Sequence, residues 1–376
     1  MGIERIFKKT VGERAAHPWR RFSPFDMVHR RHAQVFATEK AAVLDRGGVK
    51  TAPMERTLAQ LRRGGVWHRL ILGATLLSGS PFFFWGGPGY YSSRSFQAAW
   101  DLGHLLYFLL FTLWVHDLRR KGRNPGSPFS SFLVLFALVL VLGSAVELLQ
   151  LFVIGRTPDI DDVLRNQLGC LTAFAFCIRP QIFRIRWQQR ILQAGVSVLL
   201  ACSAWPLSRA LFDEGMALRQ FPVLSDFETP FERYRWNYAG QLRVENGHVR
   251  HGRQAARVQL STEKYSGIAL FHFPGDWRGY RALRFSVYNP DAAPLVLNSR
   301  VHDNYHRKHG MEYHDRFNQV FTLAQGWNDL VIPLDKVRNA PRDRAMDMEH
   351  IEGFGLFVVR QPRPLVLYLD YVYLDR

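Results

Sequence analysis

The sequence predicts a multi-domain chain: an α-helical membrane bundle of five transmembrane helices, followed by an all-β jelly-roll sandwich. Three observations predict it. Five apolar runs follow one another, at about 66–85, 96–115, 129–154, 163–178 and 191–212. Each comes near the roughly 20 residues that carry a helix across a bilayer. After residue 221 the chain changes to short alternating segments bounded by turn residues, among them QLRVENGHVRHG, IALFHF, ALRFSVYN and LVLYLDYVYL; strands of that length and spacing make a β-sandwich. Finally, the polar residues of the apolar half gather at the ends of three runs instead of scattering.

The elements divide the chain into a basic tail (1–65), a four-helix membrane domain (66–180), a basic loop with a fifth transmembrane helix (181–220) and a β-sandwich (221–376). The tail carries Lys8, Lys9, Arg14, Arg20, Arg21, Arg30 and Arg31 with no apolar core close behind them, so it does not read as a signal peptide. Residues 54–64 suit a short juxtamembrane helix, and Met1 and Met54 both stand as candidate starts. The net charge of +17 resides largely in this tail and in segments between the apolar runs. That placement points to the bilayer as partner and not to nucleic acid. Cys170, Cys177 and Cys202 lie inside apolar runs with no disulfide or zinc spacing.

The segments between runs alternate in charge. HDLRRKGR and RPQIFRIRWQQR are basic, whereas GGPGYYSSR and GRTPDIDD are not. By the positive-inside rule the N-terminus lies in the cytoplasm of a bacterial inner membrane, and the sandwich, after five spans, lies outside it. Trp85, Tyr90 and Tyr91 suit an outer interfacial belt.

In this orientation three helices bring polar side chains to one depth. Asp101 and His104 are three apart at the start of the second run, and Glu147 and Gln150 are three apart late in the third. Asp162 and Asn166 are four apart at the start of the fourth, with Arg156 between the two runs. Residues three or four apart share a helix face, and charges at a bilayer boundary cost enough to mark a functional site. Glu147, Arg156 and Asp162 are the candidates for chemistry: a carboxylate as acid or base, and the arginine as holder of phosphate. Asp101 also reads simply as a helix N-terminal carboxylate, and His104 as a packed histidine.

These residues resemble the VanZ-like membrane protein family. Its pattern is Glu-x-x-Gln late in one helix, an arginine in the next loop, and Asp-x-x-x-Asn-x-x-Gly opening the following helix. Here that is Glu147, Gln150, Arg156, Asp162, Asn166 and Gly169, with Asp101, Gly103 and His104 upstream. Where family members often carry a lysine after the first aspartate, this chain has Leu102. The resemblance covers about residues 66–180. It implies a four-helix membrane module and, through the family's name, glycopeptide (teicoplanin-type) resistance, but no particular reaction.

The C-terminal part resembles carbohydrate-binding jelly rolls of the galactose-binding-like type, through Asp226-Phe227-Glu228, Asp276-Trp277-Arg278-Gly279-Tyr280, Gly326-Trp327-Asn328 and Tyr368-Leu369-Asp370-Tyr371. The resemblance implies a structural calcium shared by the first and last strands, with Glu228 and Asp370 as its ligands. The stretch 298–318 interleaves Arg300, His302, Asp303, His306, Tyr313, Asp315 and Arg316. Planar hydrogen-bonding groups mixed with aromatics suit a glycan. The histidines at 302, 306, 309 and 314 alternatively suit a metal, and a charged, solvated loop is the plain reading.

The expected function is therefore a membrane protein that binds envelope polysaccharide or lipid-linked glycan in cell-envelope metabolism. The alternative is a membrane enzyme acting on a lipid-linked head group at the outer leaflet. Transport fits less well, because the polar groups share one depth and trace no path across the bilayer.

Overall fold

In a bilayer an unpaired backbone N–H or C=O has no water to turn to, so apolar runs close their hydrogen bonds within helices. A computed structural model describes residues 65–376 apart from 90, 121–126, 154–155, 157, 179–184 and 238–240. The chain divides into two units, Met1–Trp67 and His68–Arg376. The basic tail, the helix expected at 54–64 and Tyr90 lie outside the described residues.

Five helices stand where the apolar runs are: α1 (Gly65–Gly79), α2 (Arg94–Arg120), α3 (Pro128–Gln150), α4 (Ile160–Thr172) and α5 (Arg186–Gln220). A 3-10 turn, Ser80–Phe83, follows α1, and a single π turn, Ala173–Cys177, follows α4. Among the described residues, α2, α3 and α5 are long and apolar enough to cross a membrane. The expected count of five is not met by length: α4 has 13 residues and rises about 20 Å at 1.5 Å per residue, short of a hydrocarbon core of about 30 Å.

Local chemistry sets the helix starts. Ser127 accepts the Ser130 N–H at 3.1 Å with Pro128 at the first helical position of α3, and Asp159 accepts the Asp161 N–H at 2.9 Å before α4. Both satisfy amides that the helix itself leaves open. Phe83, Phe108, Leu135, Val139, Cys170 and Phe174 form the core between helices. Leucines and valines such as Leu133 and Val141 face outward on α3, as lipid contact permits. Gly169 sits where α4 meets the α2 backbone at Leu105 and Leu109, with no room for a Cβ; small residues let helix backbones approach this closely.

The strands are β1 (Val223–Ser225), β2 (Trp236–Asn237), β3 (Leu242–Glu245), β4 (Ala255–Leu260), β5 (Tyr265–Leu270), β6 (Ala282–Asn289), β7 (Leu295–Asp303), β8 (Phe317–Leu323), β9 (Gly326–Pro333), β10 (Ile351–Val359) and β11 (Leu365–Asp375). Two short helices, α6 (Asn304–Lys308) and α7 (Leu334–Arg338), interrupt them. One sheet runs β3-β4-β11-β6-β9 with β1 beside β11; the other runs β2-β5-β10-β7-β8. All the pairings are antiparallel. Leu297, Val301, Phe285, Phe354, Leu356 and Leu369 lie in the core between the sheets. The period-2 rule is clear in β7: Leu295, Leu297, Ser299 and Val301 are buried, while Asn298 and Arg300 between them turn out.

Helices and sandwich meet at a buried charge cluster. Asp213 of α5 receives both Nε and Nη2 of Arg235, at 3.0–3.2 Å, and also pairs with Arg94 at the start of α2. Arg235 donates further to the Leu224 carbonyl at 3.0 Å and to Gln220 at 3.2 Å. Tyr91 packs edge-on against Phe271 of the sandwich. Trp85 is exposed.

Candidate functional site

The polar residues of α2, α3 and α4 converge. The Asp-x-x-x-Asn-x-x-Gly spacing places Asp162, Asn166 and Gly169 on one face of α4, with Gly169 against α2. Asp162 Oδ2 lies 3.5 Å from His104 Nε2. Ligand atoms of His104, Glu147 and Asp162 all lie within 4.8 Å of one another. Glu147 Oε2 accepts the Asp159 N–H at 2.9 Å and so ties the end of α3 to the start of α4. Its Oε1 is buried without a hydrogen-bond partner. Asn166 is fully buried beside the His104 ring. A Cβ on Gly143, one turn before Glu147, would stand 2.7 Å from the Asn166 amide nitrogen, so that glycine makes the room Asn166 occupies.

The rest of the predicted cluster divides. Gln150 donates to the Phe83 carbonyl at 3.0 Å. Arg156 donates to the carbonyls of Phe82 (3.2 Å) and Gly86 (2.7 Å) and stacks over Trp100 at 5.7 Å. Together they clamp the 3-10 turn, whose Phe83 ring packs edge-on against His104 at 4.9 Å. Among the described residues Arg156 forms no ion pair with Glu147 or Asp162; the Phe82 and Gly86 carbonyls take the guanidinium instead. Asp162 is matched by Arg165, at 2.5 Å, which also approaches Asp101 at 3.9 Å. Sequence reasoning passed over Arg165; its signal was a lone arginine three residues after Asp162 on the same helix face.

An apolar groove of about 380 Å³ opens beside the cluster, lined by Leu76, Phe82, Phe96, Trp100, His104 and Leu110 among others. A second cavity of about 530 Å³ separates the start of α2 from the sandwich, with Arg94, Gln97 and Asp101 on one side and Tyr234, Trp236 and His272 on the other.

The sandwich carries its own cavity, of about 720 Å³, on the β2-β5-β10-β7-β8 sheet. Of the seven residues expected there, Arg300, Tyr313 and Arg316 line it, joined by Tyr265, Asn298, Asn318 and Phe357. Arg316 donates to Asn318 Oδ1 at 3.0 Å and lies over the Tyr313 ring at 5.4 Å. Gly355, opposite Arg300, leaves the space that the Arg300 side chain crosses. Burial and the charge of Arg300 hold the Arg316 guanidinium below its ordinary pKa.

The other four are scaffold. Asp303 is completely buried and binds Arg344 at 2.5 and 2.9 Å, the His306 N–H at 3.0 Å and the Asp347 N–H at 2.8 Å. Burial pushes its carboxyl up, but Arg344 and those amides outweigh it and hold it below the usual range. Asp315 pairs with the same Arg344 at 2.6 Å, and His302 and His306 are buried. His302 and Asp303 are buried because the alternation of β7 breaks at its end, where they follow Val301 inward in succession, and Asp315 is held by its ion pair with Arg344. The histidines at 302, 306, 309 and 314 do not converge on a metal: His309 stacks on Tyr305 and His314 packs against Tyr313.

Glu228 and Asp370 face one turn. Glu228 accepts the N–H groups of Arg253 and Gln254, at 2.6 and 2.8 Å, and Asp370 those of Arg250 and His251, at the same two distances. Asp370 Oδ1 is buried and unpartnered. No third metal-ligating side chain joins them among the described residues. Through these amides the two carboxylates fasten the turn.

Residues 71–184 match the VanZ/LLP1 family model. All members of the helical cluster, from Asp101 to Asn166, fall inside this VanZ-like domain. No curated protein matches the chain. Several solved structures share the fold of a β-sandwich. One is a family 11 carbohydrate-binding module from Clostridium thermocellum in complex with a β-1,3-1,4-mixed-linked tetrasaccharide: 15% identity, 41% of this chain and 94% of that one, TM-score 0.32. Another is CBM28, a non-crystalline cellulose specific carbohydrate-binding module: 12% identity, 42% and 93%, TM-score 0.30. A third is an exo-β-agarase: 14% identity, 41% and 24%, TM-score 0.32.

Proposed function

We propose that this VanZ-like protein is a multi-pass protein of a bacterial inner membrane that binds an envelope glycan with its sandwich on the outer side. The cavity on the β2-β5-β10-β7-β8 sheet carries the reading. It is open and deep enough for a sugar chain, and it offers the exposed rings of Tyr265 and Tyr313 beside planar hydrogen-bonding groups on Asn298, Arg300, Arg316 and Asn318. Among the described residues neither Arg300 nor Arg316 forms an ion pair, so the cavity favours a glycan bearing carboxylate or phosphate. The full-length protein in detergent, applied to an array of neutral and acidic envelope glycans, should retain acidic ones. Retention of none, or retention unchanged in Tyr313→Ala/Arg316→Ala, would refute the reading. The orientation rests on the alternation of basic segments and on α1 and α4 spanning with the help of their flanks; a reporter fused after Arg376 and active only outside the cytoplasm tests it. Glycopeptide resistance remains the expectation attached to the family name, and is tested by the teicoplanin susceptibility of a strain lacking the protein.

A second reading, an enzyme acting on a lipid-linked head group, is favoured by one observation. The apolar groove between α1 and α2 runs past His104, so an acyl chain lying in it would pass beside the residue that adjoins Glu147 and Asp162. Turnover of a lipid-linked glycan by the wild type and not by Glu147→Gln would support it.

A further inference from the structure

The helical cluster has a property that neither glycan binding nor packing accounts for: a buried carboxylate oxygen with nothing to bind. His104, Glu147 and Asn166 are each more than nine-tenths buried. Yet Glu147 Oε1 lacks a hydrogen-bond partner among the described residues. An unsatisfied buried polar group is destabilising, the more so when charged. The Glu147 carboxylate lies beside the Asp162 carboxylate and the His104 imidazole, with ligand atoms of the three within 4.8 Å of one another, so a cation there would give that oxygen the partner it lacks.

We propose that His104, Glu147 and Asp162 hold a divalent first-row transition-metal cation. The donor set is one imidazole and two carboxylates, which suits zinc, manganese or iron better than calcium or magnesium. The spacing fits. Ligands on a tetrahedral zinc with bonds of about 2.1 Å stand about 3.4 Å apart, and His104 Nε2 and Asp162 Oδ2 are separated by 3.5 Å. The third ligand lies within the 4.8 Å that spans the whole group.

The surroundings supply what a metal site needs. Arg165 binds Asp162 Oδ1 at 2.5 Å, fixing the carboxylate while leaving Oδ2 toward His104. The Asp159 amide does the same for Glu147 through Oε2, leaving Oε1 free. Ligands oriented in this way by their outer partners characterise metal centres. Nearby Asp101 and Asp159 add negative charge, against which Arg165 is the guanidinium paired with the cluster. Three protein ligands leave a position open, and His104 also lines the apolar groove, so that position is reachable by water or by a head-group oxygen.

The experiment uses full-length protein in detergent, purified with a histidine-free tag, stripped with chelator and titrated with Co²⁺. The wild type should take up about one equivalent and develop visible d–d bands. His104→Cys should bind cobalt and add a thiolate-to-cobalt charge-transfer band in the near ultraviolet, a signal that loss of folding cannot produce. His104→Ala/Asp162→Asn should elute as the wild type does and lose the bands. A wild type without cobalt bands, bands that persist in the double variant, or cobalt bound by His104→Cys without the thiolate band would each overturn the proposal. The glycan-array result is independent of all three.

Discussion

Replacing Asp213 by alanine should loosen the junction between helices and sandwich. Asp213 and Arg235 are essentially inaccessible to solvent, and Asp213 neutralises Arg94 as well. Removing one partner of a buried pair costs about 3–5 kcal/mol, because the remaining charge is left uncompensated. Here two guanidiniums are stranded, and Arg235 keeps only the Leu224 carbonyl and the Gln220 amide as acceptors. At about 1.4 kcal/mol per tenfold, the open form should rise by roughly two to three and a half orders of magnitude. Limited proteolysis of the full-length protein in detergent reads this directly when reclosing outpaces cleavage. Arg94→Met/Asp213→Leu/Arg235→Met should recover most of the loss, since well-packed apolar residues replace buried ion pairs at little cost. An increase in cleavage below about tenfold for Asp213→Ala would show that the pair contributes far less than its burial implies.

Four further outcomes follow from the structure. The sandwich should lose stability as pH falls from about 6.5 toward 4, because burial lowers the pKa of His302 to about 3 and that of His272 to about 4. Unfolded chains bind a proton there that folded ones do not, giving about 1.4 kcal/mol per pH unit for each imidazole; denaturant midpoints that stay flat between pH 7 and pH 5 would contradict it. Arg300→Ala should weaken retention of acidic glycans more than neutral ones and flatten its salt dependence, read on the same array. Gly169→Ala should lower the abundance of protein in the membrane, since the added methyl meets the α2 backbone at Leu105 and Leu109 and overpacking typically costs about 1–3 kcal/mol; wild-type abundance on a membrane immunoblot would speak against that close approach. The charge swap Glu147→Arg/Arg156→Glu should fail to restore abundance, because Arg156 serves the carbonyls of Phe82 and Gly86 and a glutamate cannot donate to them.

Much of the site was legible. The spacing of Glu147 with Gln150 and of Asp162 with Asn166 placed each pair on one helix face, and His104 does meet Asp162. The acceptors of Arg156 were not legible, because they are backbone carbonyls some 70 residues upstream. Arg165 escaped notice because an arginine inside an apolar helix carries no motif of its own. In the sandwich, composition singled out the stretch 298–318 but could not sort which of its residues line a cavity and which are held in ion pairs. Arg300 and Arg316 face the cavity, whereas Asp303 and Asp315 are taken by Arg344, nearly 30 or more residues away in sequence.

What the sequence determined by itself is what repeats locally. Apolar runs bury their own backbone hydrogen bonds and become helices, and alternating segments bounded by turn residues become strands, whatever lies elsewhere in the chain. Gly169 and Gly143 were visible only as glycines; the tertiary structure decided that one admits the backbone of α2 and the other the amide of Asn166. It also decided which charges pair. A buried carboxylate takes the donor that geometry brings within about 3 Å, so Asp213 found Arg235 and Arg94 across three elements, and Glu147 kept an oxygen with no donor among the described residues.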